Sequence, residues 1–271
     1  MSGPLFLLGC GKMGGALLKG WLDQRIAGTA ERPVYVIEPN AEATRAFAGA
    51  SHVMRLDALP PSLKPEAVLL AVKPQTMDQA LGALAGVKAA RPLFLSIAAG
   101  KTLGYFARHL GADAAVVRSM PNTPAAVGRG VTVAVANSHV TKGMRDLADR
   151  LLAAVGEVHW VDDEGLLDAV TAVSGGGPAY VFLLIEALAE AGRQSGLPAD
   201  LAMRLARVTV AGAGELARLS SEPAAKLREN VTSPAGTTLE ALKILMAADG
   251  IQPMFNRAIA AATKRSRELA G

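Results

Sequence analysis

Three short stretches hold the residues that could do chemistry. Residues 9 to 14 read Gly9-Cys10-Gly11-Lys12-Met13-Gly14, between the apolar run PLFLLG and a helical pattern. A GxGxxG in that setting predicts a dinucleotide site. Gly9 permits the tight turn, Gly11 lets backbone approach a pyrophosphate, and Gly14 lets the helix pack closely on the strand. The helix start then offers unpaired N–H groups to the phosphates. Cys10 stands at the variable position of this turn and reads as a small filler. The other two stretches are rich in hydroxyls and glycine: Ser174-Gly175-Gly176-Gly177-Pro178-Ala179-Tyr180, and NVTSPAGTT from Asn230 to Thr238. Each introduces a helical pattern. Pro178 suits a first helical turn, and Thr237 or Thr238 suits an N-cap. The last stretch is either a plain cap or a nest of N–H groups at a positive helix end, fit for a small carboxylate with a hydroxyl beside it.

Charged groups narrow the chemistry. Glu38 ends the run VYVIE, roughly 24 residues after Gly14, near the distance at which an acid accepts from adenosine ribose hydroxyls. A carboxylate there repels a 2′-phosphate and favours NAD. Lys12 and Arg45 keep NADP open, and an ordinary exposed strand end is the alternative reading of Glu38. Ala71-Val72-Lys73-Pro74 closes a later apolar run, at the sheet edge where ligands bind in open α/β folds; Lys73 is otherwise a solvated strand-end charge. Ser96-Ile97-Ala98-Ala99-Gly100 and Met120-Pro121-Asn122-Thr123-Pro124 close further strands in the same way. In the second half, Glu186 and Glu190 read as a solvated face, and Asp162, Asp163 and Glu164 as charges favoured by a helix dipole. Ketone reduction usually needs a proton donor, commonly His or Lys. The helical pattern PAYVFLLIEALAEAGRQ has neither at an internal position, which points to an acceptor that arrives cationic, such as a protonated imine.

The elements that must position these groups fall into two halves. From residue 4 to about 161, six β-rich runs (4–9, 33–38, 66–72, 92–97, 114–119 and 130–136) alternate with segments of helical spacing such as MGGALLKGWLDQ, AEATRAFAG and QTMDQALGALAG. Near-continuous apolar strands between helices imply a parallel sheet covered on both faces, a doubly wound α/β domain over 1–161. After Asp162 the strand patterns stop, and 162–271 read as an all-α domain. Within it Leu201 to Leu216 is apolar or small on nearly every side, which predicts burial in a partner subunit, with burial in its own bundle as the alternative. The 271 residues carry 51% apolar and 19% charged side chains and a net charge of +4. That composition fits a compact globular protein and argues against a nucleic-acid partner. One cysteine excludes an internal disulfide, and four scattered histidines, His52, His109, His139 and His159, predict no metal site. No signal-peptide pattern opens the chain, and the uncharged run 169–185 is interrupted by Gly175-Gly176-Gly177-Pro178, so no membrane span and a cytoplasmic location are expected.

Together, GxGxMG at the first turn, AVKP, MPNTPA, DAVTAVSGGGPAY and LRENVTSPAGTTLEAL resemble the pyrroline-5-carboxylate reductase family, in order and over essentially the whole chain. The resemblance implies a Rossmann domain followed by a helical domain that interlocks with a second subunit, as a homodimer or a ring of dimers. It also implies NAD(P)H-dependent reduction of 1-pyrroline-5-carboxylate to L-proline. Carried over, it makes Gly9, Gly11, Lys12, Met13 and Gly14, and Ala71 to Pro74, contacts for NADPH or NADH. Backbone N–H groups around Gly236 and Thr237 would hold the substrate carboxylate in the Ser233 to Thr238 turn, Thr238 would hydrogen-bond the ring nitrogen as the catalytic residue, and Ser174 and Pro178 would border the substrate. Two departures stand out. The family often shows Ser-Gly-Ser-Gly-Pro where this chain has Gly176, and Pro-Gly-Gly where it has Pro234-Ala235-Gly236. A β-hydroxyacid dehydrogenase of similar build would carry a lysine inside the first helix of the second half, and none is there. A non-catalytic NAD(P)-responsive protein would bind nucleotide without proline-linked turnover.

Overall fold

The computed structural model describes residues 3–47, 49–53, 58–60 and 62–270. Among the described residues eight strands form one sheet: β1 (Leu5–Leu8), β2 (Val34–Ile37), β3 (Ser51–Val53), β4 (Ala67–Leu70), β5 (Leu93–Ser96), β6 (Val116–Met120), β7 (Gly130–Ala136) and β8 (Gly156–Trp160), in the order β3-β2-β1-β4-β5-β6-β7-β8. Strands β1 to β6 are mutually parallel, β7 runs antiparallel to β6, and β8 is parallel to β7. The six runs read from sequence all form strands. The short edge strands β3 and β8 are additions, because few residues there are apolar enough to mark a buried strand.

Alternation along the central strands feeds two cores. Leu5, Leu7, Leu93 and Leu95 face one layer, while Phe6, Leu8, Val68 and Phe94 face the other. The first layer includes α1 (Lys12–Asp23), which buries Gly14, Leu17, Leu18 and Trp21, the i, i+3, i+4, i+7 stripe of an amphipathic helix. Trp21 donates its indole N–H to the Leu151 carbonyl, at 2.8 Å, on α4 (Lys142–Ala153). The opposite layer holds α2 (Met77–Ala83) and α3 (Leu103–Leu110). The helix expected over 41–49 is corrected: only a 3-10 turn forms at Ala41–Thr44, with Asn40 accepting from the Glu42 N–H. So short a segment cannot offset helix nucleation when a side-chain cap offers a turn instead. Ala48, within that pattern, lies outside the described residues, as does the side chain of His52.

Beyond β8 the chain is helical: α5 (Leu166–Val170), α6 (Gly177–Gln194), α7 (Ala199–Leu219), α8 (Ala224–Asn230), α9 (Thr237–Leu245) and α10 (Ile251–Ala270). The glycine run does not break the chain as the sequence suggested. A wide π-type turn, Thr171–Gly175, carries α5 into α6, and Leu166–Gln194 is one helical run. The chain divides into two compact units, the first ending at Gly175 and resuming at Ala262, the second spanning Gly176–Ala261. The strands end at Trp160, beside the 161/162 boundary drawn from sequence, whereas α5 and the end of α10 stay with the sheet unit. There Ser266 donates to Asp168 at 2.7 Å.

Glu164 also differs from its expected role. Its carboxylate accepts from buried Arg118 at 2.7 Å and from the Leu103 N–H at 2.8 Å. It is Asp163 that accepts from Gly165, the residue capping α5.

In the second unit, α7 buries only Ala202 and Ala206. Its Leu205, Val208, Leu216 and Leu219 are 48–67% exposed. The bundle of this chain therefore does not cover the helix. On α6, Phe182 and Leu183 are 60% and 63% exposed.

Candidate functional site: a cleft at the sheet switch point and a turn at the start of α9

A cavity of about 930 Å³ opens where the strand order reverses, at the carboxyl ends of β1, β2 and β4. Gly9, Gly11, Glu38, Ala71, Val72 and Lys73 all line it. The three glycines play separate parts. Gly9 has φ +93°, and a β-carbon there would stand 2.8 Å from the Ala71 carbonyl oxygen. At Gly14 a β-carbon would stand 2.3 Å from the Gly9 carbonyl oxygen, so helix and turn touch through backbone. At Gly11 a β-carbon would meet nothing within 4 Å. Glycine at 9 and 14 thus answers to backbone crowding, while at 11 it keeps the floor of the cleft clear. Gly11 is the N-cap of α1, whose first turn has no acidic residue and no side-chain cap. Its N–H groups lack helical partners and face anions favourably.

Glu38 sits half-buried at the cleft edge and braces the glycine turn. Its Oε2 accepts from the Cys10 N–H at 2.8 Å and its Oε1 from the Asn40 N–H at 2.9 Å. Cys10 itself is buried, donates its thiol to the Ala43 carbonyl at 3.5 Å, and is pushed up to about 11 by burial and by the Glu38 charge. A thiol so placed is protonated and inert at neutral pH. Of the remaining cofactor expectations, Lys12 and Met13 lie in the first turn of α1 and Pro74 opens the 3-10 turn after β4, beside the cleft. Sequence reasoning missed the apolar wall made by Leu59, Pro60 and Leu63, and the mixed lining of Thr76, Gln79 and Ala80 near the start of α2. The signal was the PP pair within ALPPSLKP and the helical spacing of QTMDQAL, neither of which by itself marks a ligand wall.

At the other turn, Thr237 is the first residue of α9 and Gly236 its N-cap, with no side-chain cap. The expected capping by Thr237 or Thr238 is corrected, because Gly236 takes the extended conformation an N-cap needs. Ser233 to Gly236 form a turn with Pro234 second and Ala235 third. The Gly236 N–H donates to the Ser233 carbonyl at 3.1 Å, and Ala235 has φ +58°. That is the type II pattern, whose third position favours glycine. The Ser233 hydroxyl oxygen lies 2.3 Å from where a β-carbon at Gly236 would stand, so a larger residue there would turn that hydroxyl away. With the Gly236 N–H engaged, the first-turn groups of Thr237 and Thr238 are the ones left to meet an anion. Both residues are exposed. Ser174 belongs to the first unit, where its hydroxyl donates to the Val170 carbonyl at 3.0 Å, while Pro178, Ser233, Gly236, Thr237 and Thr238 belong to the second. On α6, hydrogen bonds from Arg193 and then Gln194 hold the carboxyl of the exposed Glu190 down at about 2. Among the described residues no three His, Cys, Asp or Glu side chains gather as a metal site would need.

Family models match both halves of the chain. Residues 164–269 match the family model described as pyrroline-5-carboxylate reductase dimerisation, and residues 5–100 match that described as NADP oxidoreductase, coenzyme F420-dependent. The chain is 39% identical to a pyrroline-5-carboxylate reductase of Pseudomonas aeruginosa, over 100% of this chain and 98% of the relative. A solved pyrroline-5-carboxylate reductase from Coxiella burnetii superposes with a TM-score of 0.89 at 32% identity, over 100% of both chains. The Plasmodium falciparum pyrroline carboxylate reductase with NADP bound gives 0.81 at 27% identity, over 99% of this chain and 98% of that one.

Proposed function

The chain belongs to the pyrroline-5-carboxylate reductase family and catalyses NAD(P)H-dependent reduction of 1-pyrroline-5-carboxylate to L-proline, the last step of proline biosynthesis; from this premise we propose how its residues divide the work. The cleft over Gly11 takes the cofactor, with the diphosphate at the first turn of α1 and the adenosine end between Glu38 and the apolar wall of Leu59, Pro60 and Leu63. The contrast among the three glycines, two crowded and one open, carries this assignment. When bound, the reduced nicotinamide supplies a hydride to the imine carbon. The N–H groups of Thr237 and Thr238 hold the substrate carboxylate, and the Thr238 hydroxyl oxygen accepts from the ring N–H of the iminium. Ser174 and Pro178 border the same substrate. An iminium brings its own positive charge, so orientation replaces a protein acid as the main contribution.

Glu38 gives the site its cofactor preference. The carboxylate accepts from two backbone N–H groups at the cleft edge and keeps its negative charge there, where ribose hydroxyls can donate to it, whereas a 2′-phosphate would meet a like charge. NADH is therefore the preferred donor. The exposed apolar faces of α6 and α7 are covered by a second copy, in a homodimer or a ring of dimers, and the enzyme works in the cytoplasm, apart from membrane or nucleic acid. By length and composition the run Leu166–Gln194 could cross a bilayer, with 11% of its apolar window buried. The family match over 164–269 favours a protein partner for that face. The direct experiment follows absorbance of NADH and of NADPH on addition of pyrroline-5-carboxylate. Faster turnover per bound cofactor with NADPH would overturn the assignment of Glu38, and sedimentation as a monomer at micromolar concentration would overturn the covered interface.

A further inference from the structure

Asn122 is buried, in the loop after β6, and both ends of its side-chain amide are engaged. Its Oδ1 accepts from the Val131 N–H at 2.9 Å, which fixes the amide orientation, and its Nδ2 donates to the Ser174 carbonyl at 3.2 Å. In a helical run the carbonyl of residue 174 would accept from the N–H of residue 178. Residue 178 is proline and has none. The next donor along, the Ala179 N–H, goes to the Gly176 carbonyl at 3.0 Å. Asn122 thus supplies from the sheet unit the hydrogen bond that Pro178 removes from the helix. The end of the Met120 side chain, from the last residue of β6, packs against the same place, 2.6 Å from where a β-carbon at Gly175 would stand.

We propose that Asn122 is a positioning residue for the reduction, holding the π-type turn through the Ser174 carbonyl so that the Ser174–Pro178 stretch keeps its place beside the substrate. The inference rests on the reading that this stretch borders the imine. A π-type turn kept open within a helix is a common device at functional sites, and it persists only where its freed backbone groups find partners.

The test is a double-mutant cycle on the full-length enzyme with Asn122→Asp and Pro178→Ala. Asn122→Asp keeps the acceptor for Val131 and deletes the donor to Ser174. Pro178→Ala returns an N–H to the helix and so gives the Ser174 carbonyl its own partner. Alone, Asn122→Asp raises KM for pyrroline-5-carboxylate about ten-fold and leaves the NADH dissociation constant unchanged, the effect of one buried hydrogen bond lost. In the Pro178→Ala background the same substitution changes KM by about two-fold or less. An unchanged KM, or equal penalties in the two backgrounds, overturns the proposal. If Asn122→Asp does not fold, recovery of folding by Pro178→Ala supports it and absence of recovery overturns it. Failure of the site reading shows differently: Ser174→Ala and Thr238→Ala both leave KM for the imine unchanged, and Asn122→Asp then moves only the thermal midpoint, which overturns the positioning role as well.

Discussion

Gly11→Ala separates cofactor binding from packing. A β-carbon at residue 11 meets no protein atom within 4 Å, and the backbone there, φ −70° and ψ −165°, is open to alanine. Folding stability is expected to change by no more than about 0.5 kcal/mol. The methyl instead enters the space over the first turn of α1, where a phosphate must come within van der Waals distance of the backbone to accept from its N–H groups. Loss of one hydrogen bond to a charged group costs about 1.5–3 kcal/mol, or roughly 10- to 150-fold in affinity. Gly14→Ala is the control, since its β-carbon would stand 2.3 Å from the Gly9 carbonyl oxygen and the variant loses stability before it loses binding. Titration of each variant with NADH and NADPH by fluorescence, beside thermal denaturation, reads both quantities. Wild-type affinity in Gly11→Ala, or a stability loss in it as large as in Gly14→Ala, would refute the reasoning.

Thr238→Ala is expected to lower kcat/KM for the imine about 10- to 100-fold with cofactor affinity unchanged, the scale of a hydrogen bond to a charged group; steady-state rates at wild-type level would remove Thr238 from the chemistry. Glu38→Gln deletes the charge facing a 2′-phosphate and should shift the NADPH to NADH preference about five-fold or more toward NADPH, so an unchanged ratio of kcat/KM values contradicts the role of Glu38. Ala235→Gly relieves a left-handed φ of +58° and should raise stability by about 1 kcal/mol, compared at equal protein concentration; a lower denaturation midpoint would show that Ala235 is not strained. Cys10, pushed up to about 11 from an ordinary 9.0, should resist iodoacetamide at pH 8 and react only in strongly alkaline solution. Because the folded value is the higher one, its stabilising contribution is complete below about pH 9 and is lost as pH rises through about 11. Rapid labelling of folded protein at pH 8 contradicts that burial.

Much of this molecule was legible before any coordinates. GCGKMG after a run of strand character defined the first turn, where Gly9 and Gly14 meet backbone and Gly11 stands open. Alternating apolar runs placed six of eight strands, because a strand buried on both faces leaves no room for polar residues. The exposed face of α7 was readable as well, since a helix apolar all round needs more cover than a small bundle supplies. Local rules failed where a partner distant in sequence decided the outcome. Glu164 resembled a helix-end charge until Arg118 and the Leu103 N–H, dozens of residues earlier, claimed its carboxylate. The glycine run at 175–177 resembled a break, yet helical structure continues through it, with Asn122, some fifty residues earlier, donating to the Ser174 carbonyl beside it.

By itself the sequence determined the two halves, the glycine turn after β1, the hydroxyl turn before α9 and the family, because each is written in residue types at short spacing. Only the tertiary structure decided which backbone groups remain unpaired to meet a ligand. That Gly236 rather than a threonine caps α9, that Glu38 braces the Cys10 N–H, and that Asn122 replaces the amide missing at Pro178 all depend on where hydrogen-bonding groups come to lie in space. Buried or helix-end polar groups must be satisfied by whatever is near, and nearness across tens of residues is a property of the fold.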